Sequence, residues 1–296
     1  MAKVAALTMV YKDHWFLRKW MDYYGAHLGR ENLFILSHGR DPEIEEITRG
    51  ANLSVLPRSG PIPAFDRKKA DLLNAFIEVL HDCYQAVIAG DVDELIAVDP
   101  AVTAAPLKAV IMARSRHRAA AINCFAWELR PTARDAPFDP TRGILQQRPH
   151  AMCMPLYCKP AISFQPIRLT PGQHGSDADP NLTPDLLLFH LRYANEAVFR
   201  VNQTERNTAA AAMQGIKGPE GQIGAQWSVD SDERVRQVMV DADAVSTDYD
   251  RLLRKSFRFM KAHVYWDTRR NHLRFPFLYS RIKQPVRLPE RFMHLF

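Results

Sequence analysis

Residues 85–96 have the sequence QAVIAGDVDELI, in which two apolar runs enclose an acidic turn. The run at 84–89 is predicted as a strand that is buried on both faces of a sheet. In an extended backbone, side chains two positions apart project to the same side, so Asp91 and Asp93 can face one ion while Val92 packs behind them. The stretch therefore places two carboxylates at the end of a buried strand.

The spacing of Asp91 and Asp93 allows two interpretations. A Mg²⁺ or Mn²⁺ ion that carries a diphosphate takes a few carboxylate ligands and leaves positions for phosphate oxygens. The alternative is a polar turn in which both carboxylates are solvated. The apolar runs on either side favour the metal site, because they hold the acidic group between buried segments. We therefore expect both residues to be metal ligands.

Strands and helices alternate in the sequence before this stretch. Strands are predicted at 3–10, 32–37 and 53–56, and an amphipathic helix at 14–28 is followed by Gly29 as its stop. A short helix is expected in the acidic segment between the last two strands. Parallel strands need helical crossovers, so we predict an α/β fold with a mostly parallel sheet flanked by helices. Ligands of such sheets bind beyond the carboxyl ends of the strands.

The remaining elements are less regular. Asp66 is the expected N-cap of a helix that ends near His81. Further elements are predicted as a helix near 103–114, a strand at 119–127, short strands near 162–164 and 167–169, a strand at 186–190, a helix at 196–213 and a flexible glycine-rich loop at 215–224.

Composition excludes several classes of protein. The 296 residues are 47% hydrophobic and 24% charged, which excludes disorder, collagen-like repeats and a coiled coil as the main architecture. The apolar run at 4–11 is too short to span a bilayer and has no cleavage-like site, so we expect a cytoplasmic protein. The four cysteines lack zinc-site spacing and are expected to be reduced core thiols.

Positive charge is concentrated at the C-terminus. Residues 251–296 contain twelve Lys or Arg and two acidic residues, although the whole chain has a net charge of +6. We expect a basic helical extension that attaches to an anionic membrane surface, at the inner face, or to a lipid-linked or acidic glycan. The alternative is a tail that packs its aromatic residues on the main domain. No motif indicates nucleic acid binding.

Several stretches together resemble a known family. The segment QAVIAGDVDELI is similar to the strand-D-x-D-E-(F/L) segment of the GT-A-fold glycosyltransferases, in particular the bacterial family 2-like and family 92-like enzymes. Residues 8–29 resemble the opening strand, acidic residue and helix of that family, and residues 36–41, LSHGRD, occupy the end of its second strand. Residues 189–195, FHLRYAN, resemble its His-Tyr-x-x-(Lys/Arg)-Ser segment, with Asn195 in place of Ser. Lys159-Pro160 and Gly172-Gln173-His174 also match, and the resemblance covers about residues 3–200.

The resemblance implies a fold and an activity. It implies a Rossmann-like GT-A domain at 1–200, followed by a helix and loop at 201–250 and the basic segment at 251–296. The implied activity is metal-dependent transfer of a sugar from a nucleotide-sugar donor to a glycan or lipid-linked acceptor, in surface polysaccharide biosynthesis. The alternatives are a catalytically silent relative that binds anionic glycan or membrane, and a metal-dependent phosphoryl-transfer enzyme or hydrolase.

The same resemblance implies roles for individual residues. Asp91 and Asp93 would bind the Mn²⁺ or Mg²⁺ that bridges the two donor phosphates, and His190 would supply a third ligand or a diphosphate contact. Asp13 and Asp41 would contact the nucleoside. Their alternative roles are capping or turn formation for the two aspartates, and a simple strand-end position for the histidine.

Two further sites are suggested by chemistry. Arg67, Lys68 and Lys69 lie in the first turn of a helix, where cations oppose the macrodipole, so we expect an anion nearby, bound by Lys68. The alternative is a charged helix face that is solvated. An inverting transfer also needs a general base on the acceptor side. The candidate for this base is Glu128, which follows a strand and has Trp127 beside it for sugar stacking, with Glu94 and Asp177 as rivals. The alternative is that Glu128 is an exposed glutamate with no catalytic role.

Overall fold

Parallel strands joined by helices form the N-terminal half of the fold. The computed structural model describes residues 3–58, 64–116, 119–213, 225–268, 272–275 and 284–296. Strand β1 (Val4–Val10) lies between β2 (Leu33–His38) and β4 (Ala86–Ala89), and β3 (Asn52–Leu56) pairs with β2. All three pairings are parallel. The connecting helices are α1 (His14–Leu28), α2 (Pro42–Ile47) and α3 (Phe65–His81). The predicted α/β class is therefore confirmed.

Helices cover both faces of this half because β1 is apolar on both sides. Val4 and Ala6 belong to the same buried cluster as the apolar stripe of α1. Ala5 and Leu7 instead pack with Leu73 and other apolar residues of α3. Gly29 ends α1 as predicted, at a φ of 88° that L side chains rarely adopt.

The second half of the sheet mixes strand directions. Its strands are β5 (Glu94–Val98), β6 (Ala121–Leu129), β7 (His150–Cys153), β8 (Pro160–Ser163), β9 (Leu182–His190) and β12 (Pro285–Arg287). The order across the sheet is β12-β7-β6-β8-β4-β1-β2-β3, and β9 pairs with both β5 and β6. Strand β8 is antiparallel to β4 and β6, whereas β9 is parallel to β6. All nine residues of β6 are buried, so this strand forms the centre of the second half.

The remaining helices and the small hairpin lie later in the chain or between these strands. They are α4 (Leu107–Arg114), α5 (Ile144–Gln147), α6 (Glu196–Ala212), α7 (Ser231–Val238) and α8 (Tyr249–Ala262), and β10 (Tyr265–Asp267) pairs with β11 (His272–Arg274) as a separate two-stranded sheet. Helix α8 forms the first part of the predicted basic extension at 251–296, and β10, β11 and β12 lie in the rest of it. Part of the C-terminal segment also completes the core, since Phe292 is fully buried and β12 pairs with β7.

Several local predictions were wrong. Ala64, with a left-handed φ of 55°, precedes α3, so Asp66 lies inside the first turn and is not the N-cap. Residues 167–169 form no strand, and Leu169 makes one isolated bridge with Ser176. Three cysteines are buried as expected, but Cys83 is exposed. The predicted loop at 215–224 lies outside the described residues, and no helix among those described is long and apolar enough to cross a membrane.

Candidate functional site

A cavity of about 950 Å³ opens beyond the carboxyl ends of β1, β2 and β4. This is the edge at which ligands bind in open α/β sheets. The chain after β1 contributes Tyr11 to Asp13, and the acidic turn contributes Asp91 to Asp93. Helix α3 supplies Phe65, Asp66 and Lys69, and α6 forms another wall that includes Asn202 and Glu205.

Asp91 is held by three polar side chains. Its Oδ1 accepts hydrogen bonds from Lys69 Nζ at 2.5 Å and from Gln173 Nε2 at 3.0 Å, and its Oδ2 lies 3.3 Å from Lys159 Nζ. Burial opposes ionisation, but Lys159 and Lys69 hold the pKa of Asp91 well below its usual range. Asp91 is therefore a stable carboxylate at the cavity wall.

Lys159 and Glu94 form a buried pair beneath Asp91. Lys159 is only 1% exposed, and its Nζ lies 2.7 Å from Glu94 Oε2, which also accepts a hydrogen bond from the Asp91 backbone N at 3.0 Å. Burial would lower the pKa of Lys159, but Asp91 and Glu94 raise it above its usual value. Burial raises the pKa of Glu94. A Cβ at Gly90 would lie 3.0 Å from Glu94 Oε2, so glycine at this position leaves room for the pair.

Asp93 belongs to a second buried chain of charges. His190 Nε2 lies 3.3 Å from Asp93 Oδ2, and its Nδ1 lies 3.1 Å from Glu128 Oε1. Arg130 forms an ion pair with the other oxygen of Glu128. Burial would lower the pKa of His190, but Asp93 and Glu128 raise it to about 10. The parallel register of β6 and β9, which sets Glu128 opposite His190, brings these residues together.

Aromatic and guanidinium groups line another part of the cavity, and we call Tyr11, His38, Arg58 and Phe65 the ring cluster. The Arg58 guanidinium lies 3.5 Å from the centre of the Tyr11 ring. Its Nη1 donates to His38 Nδ1 at 2.9 Å, and His38 stacks on Phe65 with ring centres 5.6 Å apart. Burial, with Arg58 beside it, lowers the pKa of His38 and keeps the ring a neutral acceptor.

Asp13 lines the cavity, whereas Asp41 does not. Asp13 accepts a hydrogen bond from Asn202 Nδ2 at 2.6 Å. Burial and the nearby Asp93 carboxylate raise the pKa of Asp13 to about 7. Asp41 instead caps α2, accepting from Glu43 N at 2.9 Å, and it lies 2.8 Å from His14 Nε2. The Asp41-Pro42 pair, a common start of a helix, was the signal for this role.

Four other predicted site residues are placed away from the described lining. Lys68 is exposed, and Lys69 is the cation that faces the cavity. Glu128 is 1% exposed behind His190, and Glu94 is buried against Lys159. Asp177 caps a loop by accepting from Arg168 N at 2.8 Å. Because none of the three predicted bases lines the cavity, none of them faces an acceptor bound there.

Backbone strain occurs around the same cavity. The non-glycine residues with left-handed φ among those described are Lys12 at 57°, Ala64 at 55° and Gln173 at 59°. Lys12 and Gln173 line the cavity, and Ala64 directly precedes Phe65, which also does. Such conformations persist where the surrounding structure enforces them, often at ligand sites.

Asp91, Asp93 and His190 are residue types that commonly bind divalent ions. Asp91, Asp93 and His190 all line the cavity, although no group of three or more His, Cys, Asp or Glu among the described residues is arranged to hold a metal. Asp93 Oδ2 and His190 Nε2 are 3.3 Å apart and form an ion pair, so a metal bound there would take the place of the proton on Nε2. Glu128 on the other nitrogen of His190 is the partner that metal-binding histidines commonly have.

Comparisons with known proteins show only distant similarity. No protein-family model and no curated protein matches the sequence. The chain is 11% identical to the mannose-1-phosphate geranyltransferase of Thermus thermophilus, over 74% of this chain and 66% of that chain, with a TM-score of 0.28. It is also 11% identical to a protein described as a nucleotide-diphospho-sugar transferase from Desulfovibrio desulfuricans, over 81% of this chain and 100% of that chain, with a TM-score of 0.32. Neither match assigns a family or a substrate.

Proposed function

We propose that the protein is a metal-dependent glycosyltransferase that uses a nucleotide-sugar donor and a glycan or lipid-linked acceptor, in the biosynthesis of a surface polysaccharide. One observation carries this proposal. A single cavity at the carboxyl ends of the parallel strands is lined both by the ring cluster and by the Asp91, Asp93 and His190 side chains. Rings suit a nucleobase, and carboxylates with imidazole suit a metal-bound diphosphate.

The charges that line the cavity support a role for a metal. The described lining contains five lysine or arginine residues and five carboxylates: Lys12, Arg58, Lys69, Arg192 and Arg206 against Asp13, Asp66, Asp91, Asp93 and Glu205. Protonated His190 and the partly protonated Asp13 give the lining a small excess of positive charge, which a bound diphosphate would exceed. When bound, Mn²⁺ or Mg²⁺ would offset that charge and stabilise the nucleoside diphosphate as the leaving group.

The protein's own residues have distinct tasks in this proposal. Asp93 and His190 would hold the ion, and Asp91 would complete the set by exchanging its contact with Lys69 for the metal. The raised pKa of His190 keeps its Nε2 protonated, so binding of the ion would release that proton. Glu128 acts as a positioning residue, because its carboxylate accepts the Nδ1 proton and leaves Nε2 of His190 directed at the cavity. Lys69 would contact the diphosphate once it leaves Asp91.

The ring cluster would bind the nucleoside. Tyr11 and Phe65 offer aromatic faces, and the Arg58 guanidinium provides further donors beside them. Asp13, on the same loop as Tyr11, would accept a hydrogen bond from the sugar or base of the nucleoside. Burial raises the pKa of the Asp13 carboxyl to about 7, so this group can either donate or accept a hydrogen bond near neutral pH.

Thermal denaturation with defined ligands tests the proposal. A panel of nucleoside diphosphates should raise the melting temperature only when Mn²⁺ or Mg²⁺ is also present, and at about 100 times Kd the stabilisation should be about 2.7 kcal/mol. Lys69→Met should reduce this shift, whereas Lys68→Met is the matched control and should leave it unchanged. Stabilisation that persists in EDTA would contradict metal dependence.

Activity assays separate the proposal from its alternatives. With Mn²⁺, a glycosyltransferase slowly hydrolyses or transfers its matching nucleotide sugar and releases the nucleoside diphosphate. Release of inorganic phosphate from the nucleoside diphosphate would instead identify a phosphoryl-transfer enzyme or hydrolase. Metal-dependent binding without turnover of any nucleotide sugar in a broad panel would indicate a catalytically silent protein.

A further inference from the structure

One side of α8 is uniformly cationic. Its exposed residues include Arg251, Arg254, Lys255, Arg258 and Lys261, which we call the basic face. Their spacing of three and four positions places them within an arc of about 120° around a helix of 3.6 residues per turn. The cations therefore form one continuous stripe along the helix.

The opposite side of α8 is used by the core. Tyr249, Leu252, Leu253, Ser256 and Met260 are buried. Tyr249 packs on Trp127 of β6, and its hydroxyl accepts a hydrogen bond from Trp127 Nε1 at 3.1 Å. This packing fixes the helix on the main domain and holds the basic face outward.

The basic face has no counter-charge among the described residues. None of its five cations forms an ion pair there, whereas exposed arginines elsewhere do, such as Arg49 with Glu46 and Arg134 with Asp243. The acidic residue within α8, Asp250, pairs with Arg291 at 2.6 Å. The field of the five charges is therefore directed at solvent.

Aromatic side chains accompany these charges. Phe257 and Phe259 are half-buried, and at 100° per residue they fall on opposite flanks of the stripe. Tyr265 and Trp266, on β10 just after the helix, are 40% and 53% exposed. Tyrosine and tryptophan prefer the interface between lipid and water, where one end of the ring is apolar and the other hydrated.

We propose that the basic face docks the protein on the surface of an anionic phospholipid bilayer, with Trp266, the more exposed of the two rings on β10, inserting at headgroup level. Lysine and arginine near an anionic leaflet are attracted within a Debye length, and aromatic residues add apolar contact. Because the apolar stripe of α8 is buried in the protein, the helix lies on the bilayer and does not embed in it. This inference concerns where the protein acts and does not depend on the proposed activity.

Vesicle sedimentation of the full-length protein tests the proposal. We expect binding to phosphatidylcholine vesicles that contain phosphatidylglycerol, little binding to pure phosphatidylcholine, and loss of binding near about 0.5 M salt, where the Debye length is about 4 Å. The triple variant R254E/K255E/R258E should bind at least tenfold more weakly. The matched control R40E/R142E/R168E changes three exposed cations outside α8 by the same charge and should stay within about threefold of the unaltered protein.

A tryptophan variant and a binding assay with an acidic polysaccharide extend the test. Trp266→Phe should abolish most of the vesicle-induced blue shift in tryptophan emission and weaken binding several-fold. Both variants should retain metal-dependent stabilisation by nucleoside diphosphate, which separates this inference from the proposed function. Equal binding to neutral and anionic vesicles would overturn the proposal. So would equal weakening by the control variant, or binding of an acidic polysaccharide but not vesicles through the basic face.

Discussion

The two groups of side chains that line the cavity are built in different ways. The carboxylates Asp91 and Asp93 are backed by the buried residues Lys159, Glu94, His190 and Glu128, so that each charge has an opposite charge beside it. In the ring cluster, Tyr11, Arg58 and Phe65 are only half-buried and are held mainly by stacking. The buried partners of Asp91 and Asp93 are fixed before any ligand binds, whereas the ring cluster can adjust to its ligand.

The difference follows from the elements that carry the residues. His190, Glu128 and Glu94 occupy paired strand positions, where the register of β5, β6 and β9 fixes them. Tyr11 and Arg58 follow strand ends, and Phe65 begins a helix. Loops of this kind tolerate change and carry recognition, whereas buried ion pairs tolerate little.

The largest expected effect comes from removing the buried cation. Lys159→Met leaves Asp91 and Glu94 without their shared partner, and breaking a buried pair in this way should lower the free energy of unfolding by about 3–5 kcal/mol. Chemical denaturation measures the change. The double variant Lys159→Met/Glu94→Gln should recover part of the loss, because the uncompensated charge is removed. A loss below about 1 kcal/mol would show that the cluster is not rigid.

The second largest effect is expected on the binding of diphosphate ligands when Asp93 is replaced. Asp93→Asn keeps the size of the side chain but removes a charge, so binding of both inorganic pyrophosphate and nucleoside diphosphate with Mn²⁺ should weaken tenfold or more, about 1.4 kcal/mol. Calorimetry measures both affinities, and the melting temperature without metal reports the fold. Unchanged affinities would refute the role of Asp93, and an unfolded variant would assign it a structural one.

Asp13 gives a pH-dependent effect. Its pKa is raised from 3.8 to about 7 in the folded protein, so folding favours its protonated form and stability is lost as pH rises from about 4 through 7. Asp13→Asn mimics that form. The variant should be about 1 kcal/mol more stable than the unaltered protein at pH 8, less than the full shift implies because the side chain is partly hydrated. The gap should close near pH 4. A gap that does not vary with pH would exclude this titration.

The smallest effect is expected in the ring cluster. Tyr11→Leu removes a stacking face and the partner of Arg58, which should weaken nucleoside diphosphate binding about three- to tenfold, in line with about 0.5–1.5 kcal/mol for aromatic contacts. Pyrophosphate binding should not change, in contrast to Asp93→Asn. If both ligands were weakened equally, the division of the cavity into two parts would be wrong.

Local sequence patterns predicted most helices and strands, but they did not predict how all the strands pair. The parallel half was predictable because β1, β2 and β4 are continuous apolar runs separated by helices. The positions of Asp91 and Asp93 at the cavity also followed, because ligands bind beyond the carboxyl ends of the strands, and the family resemblance indicated His190 as their neighbour. Strand β5 was not predicted, since its five residues directly follow the acidic turn and no loop or helix signal separates them from it.

The wrong predictions concern positions that depend on pairing between distant strands or on which of two adjacent helical residues faces the cavity. Glu128 was expected at the acceptor side, and only the register of β6 with β9 places it behind His190. Lys68 was expected to face the ligand. Successive side chains point about 100° apart around a helix, and in α3 Lys69 lines the cavity instead. A local sequence pattern specifies neither the register between β6 and β9 nor which lysine of α3 faces the cavity.

Asp91 and Lys159 lie close together in the folded protein but far apart in the sequence, so they are synthesised at different times. Lys159 follows Asp91 by 68 residues, and a ribosome adding 5–20 residues per second needs roughly 3–14 s to reach it. His190 emerges later still. Until then, Glu94 lacks Lys159 and Asp93 lacks His190, so these two carboxylates must remain hydrated and β5 cannot be enclosed, whereas Asp91 can already pair with Lys69, which precedes it. The nascent chain therefore completes its second half only after the cations that neutralise the first have been synthesised, which makes this interval the period when it most needs protection from aggregation.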